Sequence, residues 1–246
     1  MPTDTPIGMH RARRSQQASA ARVRSRRPGR GAPRHRRVAG WTLLAAAFLL
    51  LLIANGAAAR EWHFDVSLDG LPIGTHDISV QQKADAHSVV SDMRFRVSLL
   101  GFEAGSYEQH EEETWQRDCL TRIDTRTVEK GKVTTVAGRV EGGNFVIDGP
   151  GAQQRLPDCV MSFAYWNPRV LKQASLINVQ TGASTPITVH ALDKEAYTVR
   201  GASVEATHYR IDTARNKIEV WYSPDGEWIG LRSTSQQGHV LAYRLK

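Results

Sequence analysis

The stretch EWHFDVSLDGLPIGTHDISV, Glu61 to Val80, decides how the rest of the chain is read. Trp62, Phe64, Val66 and Leu68 alternate with polar residues, which places them on one face of an extended strand. Asp69 and Gly70 supply the two residues of a tight turn, and Ile73 to Val80 returns the chain. The same pattern recurs in VVSDMRFRVSLLG, in KVTTVAGRVEGGNFVIDG with turns at Gly142, Gly143 and Gly149, and in KIEVWYSPDGEWIGLRSTSQQGHVLAYRL with a turn at Pro224–Gly226. Strands joined by short turns, with few helical patterns between them, predict an all-β fold: a strongly curved antiparallel sheet or open β-barrel meander.

One segment interrupts the alternation, SFAYWNPRVLKQASLIN from Ser162 to Asn178. Asn167 suits an N-cap and Pro168 the first helical position, so a short helix is expected from Pro168 to about Ser175, lying across an opening of the sheet.

The chain has 32 Lys+Arg against 25 Asp+Glu, a net charge of +7, which first suggests a nucleic-acid binder. The charge is unevenly placed. Residues 1–59 hold 11 arginines, no lysine and one acid, so residues 60–246 carry 21 − 24 = −3. A nucleic-acid partner is therefore not expected. The leader combines an arginine-rich start with the apolar run VAGWTLLAAAFLLLLIA and an A-x-A pattern at Ala57 and Ala59. It reads as a signal helix cleaved after Ala59, with an uncleaved anchor as the rival. Both readings place residues 60–246, a single β-rich domain, outside the cytoplasm. The expected location is the periplasm or exterior of a Gram-negative cell, with the membrane touched only through an uncleaved leader. The domain is expected to be monomeric.

Within this domain the stretch SYEQHEEETW, Ser106 to Trp115, concentrates one histidine and four glutamates. As a strand it sends Tyr107, Gln109, Glu111, Glu113 and Trp115 to one side, and Glu108, His110, Glu112 and Thr114 to the other. A metal site would draw on Glu108, His110 and Glu112. Their spacing of about 7 Å per two residues is too long for one ion without curvature or a second strand. The bland alternative is a solvated strand whose outward acids discourage edge pairing.

Cys119 and Cys159, the two cysteines of an exported chain, are expected to form a disulfide. No nucleophile elbow, zinc-protease helix, Walker loop or dinucleotide fingerprint occurs, and no cofactor is implied. Five of the six tryptophans fall after residue 59. Most suit a β-barrel core, while Tyr165, Trp166 and Asn167 at the strand-to-helix junction are candidates for a ligand wall.

WHFDVSLDGLPIGTH, HEEETW, CVMSFAYWNPRVL, LINVQTG and VWYSPDGEWIGLRS together resemble an uncharacterised family of exported bacterial proteins, the domain-of-unknown-function family sixty-one thirty-four. The resemblance implies a periplasmic all-β domain similar in style to open-barrel lipoprotein carriers, and it brings no activity or catalytic residue. The leading expectation is a module that binds or carries an apolar or lipid-like ligand. A hydrolase or metal-assisted enzyme using His110 with Glu108 or Glu112, and an envelope assembly factor, are the alternatives.

Overall fold

The structure, a computed structural model, describes residues 58–99 and 102–246, so the expected signal helix lies outside the described residues. Among the described residues there are sixteen strands: β1 (Ala58–Leu68), β2 (Leu71–Lys83), β3 (Ala86–Leu99), β4 (Phe102–Gln116), β5 (Cys119–Glu129), β6 (Lys132–Glu141), β7 (Asn144–Asp148), β8 (Gln154–Pro157), β9 (Ser175–Ile177), β10 (Ser184–Pro186), β11 (Thr188–Ala191), β12 (Glu195–Val199), β13 (Ala202–Asp212), β14 (Asn216–Tyr222), β15 (Trp228–Ser235) and β16 (Val240–Leu245). Fourteen of them form one sheet, in the order β11-β13-β14-β15-β16-β1-β2-β3-β4-β5-β6-β7-β8, with β12 paired to β13. The all-β meander is therefore observed, and the sheet is not a closed barrel: β8 and β11 end the path.

The hairpin of residues 61–80 forms as its sequence requires. β1 and β2 pair antiparallel from Ala58↔Gln82 to Leu68↔Leu71. Asp69 and Gly70 both adopt positive φ, 49° and 80°, the geometry whose twist matches the flanking strands. At Gly74 the β3 backbone comes so close that a Cβ would meet the Arg94 carbonyl, so only glycine fits there. The other side of β1 pairs with β16, Phe64 opposite Leu245 and Val66 opposite Tyr243. This contact joins two wings, β2–β8 and β11–β16, that are far apart in sequence.

The chain leaves one edge of the sheet at β8 and arrives at the other edge at β11, and residues 158–187 make that crossing. Met161, Ala164, Val170, Leu176, Ile177 and Ile187 from the crossing are buried and join the same apolar cluster as Trp62, Phe64, Trp115, Ile123 and Val220 from the strands. The crossing grips both wings. Trp166 packs edge-on against Trp115 at 5.5 Å, while Tyr165 lies 5.2 Å from Trp228 and its carbonyl accepts a bond from the Tyr222 hydroxyl. Contacts on both sides of one short segment require the sheet to curve around it.

The expected helix is shorter and tighter than its sequence suggests, a 3-10 turn over Pro168–Lys172. Asn167 caps it, its side chain accepting from the Arg169 amide, and Pro168 opens it as expected. Gln173 is already extended, because the chain must enter β9 at Ser175 and pair with β10. Cys119 and Cys159 form a disulfide, with Cα atoms 4.7 Å apart, which ties the start of β5 to the start of the crossing.

Candidate functional site

Strand β4 decides what the interior offers. Its burial alternates without interruption from Glu108 to Trp115: Gln109, Glu111, Glu113 and Trp115 are buried, and Glu108, His110, Glu112 and Thr114 are exposed. Gln109, Glu111 and Glu113 of this set face a cavity of about 470 Å3 between the sheet and the crossing segment. Apolar side chains such as Ile73, Ile78, Val89, Phe95, Trp228 and Leu241 form much of its wall. The volume lies within the range of small-molecule sites.

Set into this wall is a polar row. Glu111 is flanked by Ser91 of β3 and Thr125 of β5, and Gln109 by Met93 and Thr127. The Gln109 amide donates to Glu111 Oε2 at 3.3 Å, and its carbonyl accepts from the Tyr107 hydroxyl and from Thr127 Oγ1. Trp115 Nε1 donates to Glu113 Oε2 at 2.9 Å. Glu113 Oε1 has no partner, although the residue is only 5% exposed. From β2, His76 meets Ser91 Oγ through Nε2 at 2.8 Å, and its Nδ1 is likewise unpartnered.

Burial sets the electrostatics. It raises both glutamates above the ordinary carboxylate range, Glu111 furthest because the Glu113 charge beside it adds to the effect. Two adjacent buried carboxyls cannot both ionise cheaply, so the pair titrates as a unit and retains a proton to higher pH than an exposed glutamate. Burial also drives His76 down to about 4, against weaker opposing effects of Asp77 and Asp92, so its imidazole is neutral at pH 7.

These shifts predict opposing pH dependences. Unfolded His76 takes up a proton near 6.5, whereas the folded residue does so only near 4, so its contribution is present above 6.5 and lost as pH falls through this window. The glutamate pair acts in the opposite sense: its contribution is present below the ordinary carboxylate range and lost as pH rises. The His76 part is isolated by comparing wild type with His76→Gln in denaturant titrations at pH 7 and pH 5. Wild type should lose about 2 kcal/mol more than the variant over that interval. Equal losses would show that His76 does not titrate in this way.

Of the residues singled out from the sequence, Tyr165 and Trp166 line the cavity, and both are partly buried against the apolar core. Asn167 lies outside the main cavity. It caps the 3-10 turn and donates to Asp118 at 3.3 Å. Glu108, His110 and Glu112 occupy the opposite face of β4 and none lines the cavity. The His110 side chain is 51% exposed, with Nδ1 2.9 Å from Asp92 and Nε2 3.4 Å from Glu112. Its pKa is raised chiefly by the Asp92 hydrogen bond. Among the described residues no group of three or more His, Cys, Asp or Glu is arranged to hold a metal ion.

The expected partition of β4 is the one observed, with Glu108 and Glu112 on the exposed face and Glu111 and Glu113 on the buried one. The signal was available. Both share a strand face with Trp115 and Tyr107, and a tryptophan on a strand marks the side turned to the core. Gln109 carried the same mark, whereas His76 and Ser91 had no tryptophan on their strand face to point them inward.

The family described as Domain of unknown function (DUF6134) matches residues 64–246. The chain belongs to the DUF6134 family. No curated protein matches it. Among solved structures it is similar to a beta-barrel-like protein of domain of unknown function DUF1849 from Brucella abortus, with a TM-score of 0.56 and 10% identity over 77% of this chain and 96% of that one. At that identity the similarity shows the β-barrel-like fold alone. It agrees with the open sheet described above for this DUF6134 domain.

Proposed function

We propose that this DUF6134 domain is a binding module of the bacterial envelope that takes an apolar or lipid-like ligand into the cavity beneath residues 158–187. The observation that carries the reading is the cavity itself: about 470 Å3, walled largely by apolar and aromatic side chains, in a domain of ordinary size. Protein interiors are otherwise close-packed, and a space of this size costs the fold the dispersion contacts that would fill it. An apolar ligand restores those contacts on entry. The basic, apolar leader and the Cys119–Cys159 disulfide support an exported, oxidising location.

Titration of the purified protein with N-phenyl-1-naphthylamine, whose fluorescence rises in apolar surroundings, tests the reading. Saturable enhancement at one probe per chain, reversed by 1-dodecanol, is expected. Absence of saturable binding by the probe and of any dodecanol effect would refute it.

A further inference from the structure

A purely apolar carrier has no need of two buried carboxyls in its wall. Transferring an ionised carboxyl from water to a protein interior costs several kcal/mol unless a partner compensates. Here the compensation within the protein is incomplete. Glu111 accepts from Gln109 and Glu113 from Trp115; Ser162 and the neighbouring carboxyl also bear on Glu113, without a well-formed hydrogen bond to its Oε1, and all of these are neutral donors, with no cation among the influences on either carboxyl. Glu113 Oε1 is left without a donor.

The other ionisable groups lining the cavity do not fill this role. His76 of β2 is held neutral, and the hydroxyls of Tyr107, Tyr165 and Tyr243, neutral in any case near pH 7, are pushed higher still by burial. Glu129 adds a further acid. Lys130 also lines the cavity, and it is in no ion pair with Glu111 or Glu113. A second unpartnered polar atom, His76 Nδ1, belongs to a side chain only 6% exposed on the same cavity wall. The pocket thus presents an acceptor without a donor, a net negative tendency, and an imidazole nitrogen with spare hydrogen-bonding capacity.

We propose that the Glu111–Glu113 pair selects ligands that carry a protonated amine at the end of an apolar body. This rests on the binding reading above and adds the chemistry of the recognised end. An ammonium group brings three N–H donors and a positive charge, so it satisfies Glu113 Oε1 and stabilises the ionised form of the pair. A hydroxyl supplies one donor without charge. A carboxylate supplies no donor and adds a further anion to an acidic, low-dielectric site, which is repulsive.

Calorimetric titration of the purified protein at pH 7.5 with dodecylamine, 1-dodecanol and dodecanoate, equal in chain length and different only in the head, separates the possibilities. The amine is expected to bind at least ten-fold more tightly than the alcohol, and the acid more weakly than the alcohol. In the Glu111→Gln/Glu113→Gln variant, which keeps side-chain shape, the amine should lose its advantage while alcohol binding persists. Near-UV circular dichroism reports whether that variant is folded, and the wild-type series is decisive without it. Alcohol binding as tight as amine binding, or an amine advantage that survives in the folded double variant, would overturn the selectivity and leave the apolar cavity standing. Failure of all three ligands to bind would overturn both.

Discussion

Replacing Trp115 with alanine is expected to destabilise the domain by about 3–5 kcal/mol, the range for removing a fully buried aromatic side chain. Trp115 has no measurable exposure and packs against Trp166 of the crossing segment at 5.5 Å. Its indole N–H is also the donor that holds Glu113 Oε2. The substitution therefore removes core volume and strips a buried acid of its hydrogen bond. Trp115→Phe separates these effects. The phenyl ring recovers much of the volume but not the donor, and a residual cost of about 1–3 kcal/mol is expected from the unpaired carboxyl. Denaturant titration measures both variants. If Trp115→Phe is as stable as wild type at pH 7.5, the indole–carboxyl bond contributes nothing to the fold.

The second large effect is expected from the disulfide. Cys119 and Cys159 are separated by 40 positions, and in the chain-entropy model a loop of that length contributes about 4 kcal/mol. Cys119→Ala/Cys159→Ala should lower the melting temperature by roughly 10 °C in a domain of this size. The bridge also has a local consequence. It anchors β5 beside the point where Leu120 bonds to Val160, just before Met161 and Ser162 enter the interior. The double variant is expected to show increased amide exchange over residues 160–166 before global unfolding. A melting temperature unchanged from wild type would mean that the unfolded chain gains no freedom when the bridge is removed.

Much of the fold was legible because strand periodicity is a local property. Trp62, Phe64 and Val66 alternate within a few residues, Asp69–Gly70 can adopt the required turn without outside help, and both signals survive in the observed β1–β2 hairpin. The pairing of β1 with β16 carried no such signal, since it joins residues nearly 180 positions apart and depends on where the intervening strands lead the chain. The short helix was partly legible. Asn167 and Pro168 specify its start locally, while its early end follows from the pairing of β9 with β10.

The candidate site divides along the same line. For SYEQHEEETW, the period of two separated Tyr107, Gln109, Glu111, Glu113 and Trp115 from Glu108, His110 and Glu112, and that partition is the one observed. The sequence by itself thus determined the β1–β2 hairpin, the strands of the tail and their turn, the cysteine pair and which residues of β4 travel together. Trp115 marked one of those faces as the apolar one, but only the tertiary structure decided that it is covered and what it encloses. A strand's backbone offers two equivalent faces until something covers one, and here the cover is the crossing of residues 158–187 from β8 to β11, whose Trp166 closes on Trp115. That packing draws Glu111 and Glu113 inward with the tryptophan, because a strand cannot turn alternate residues independently.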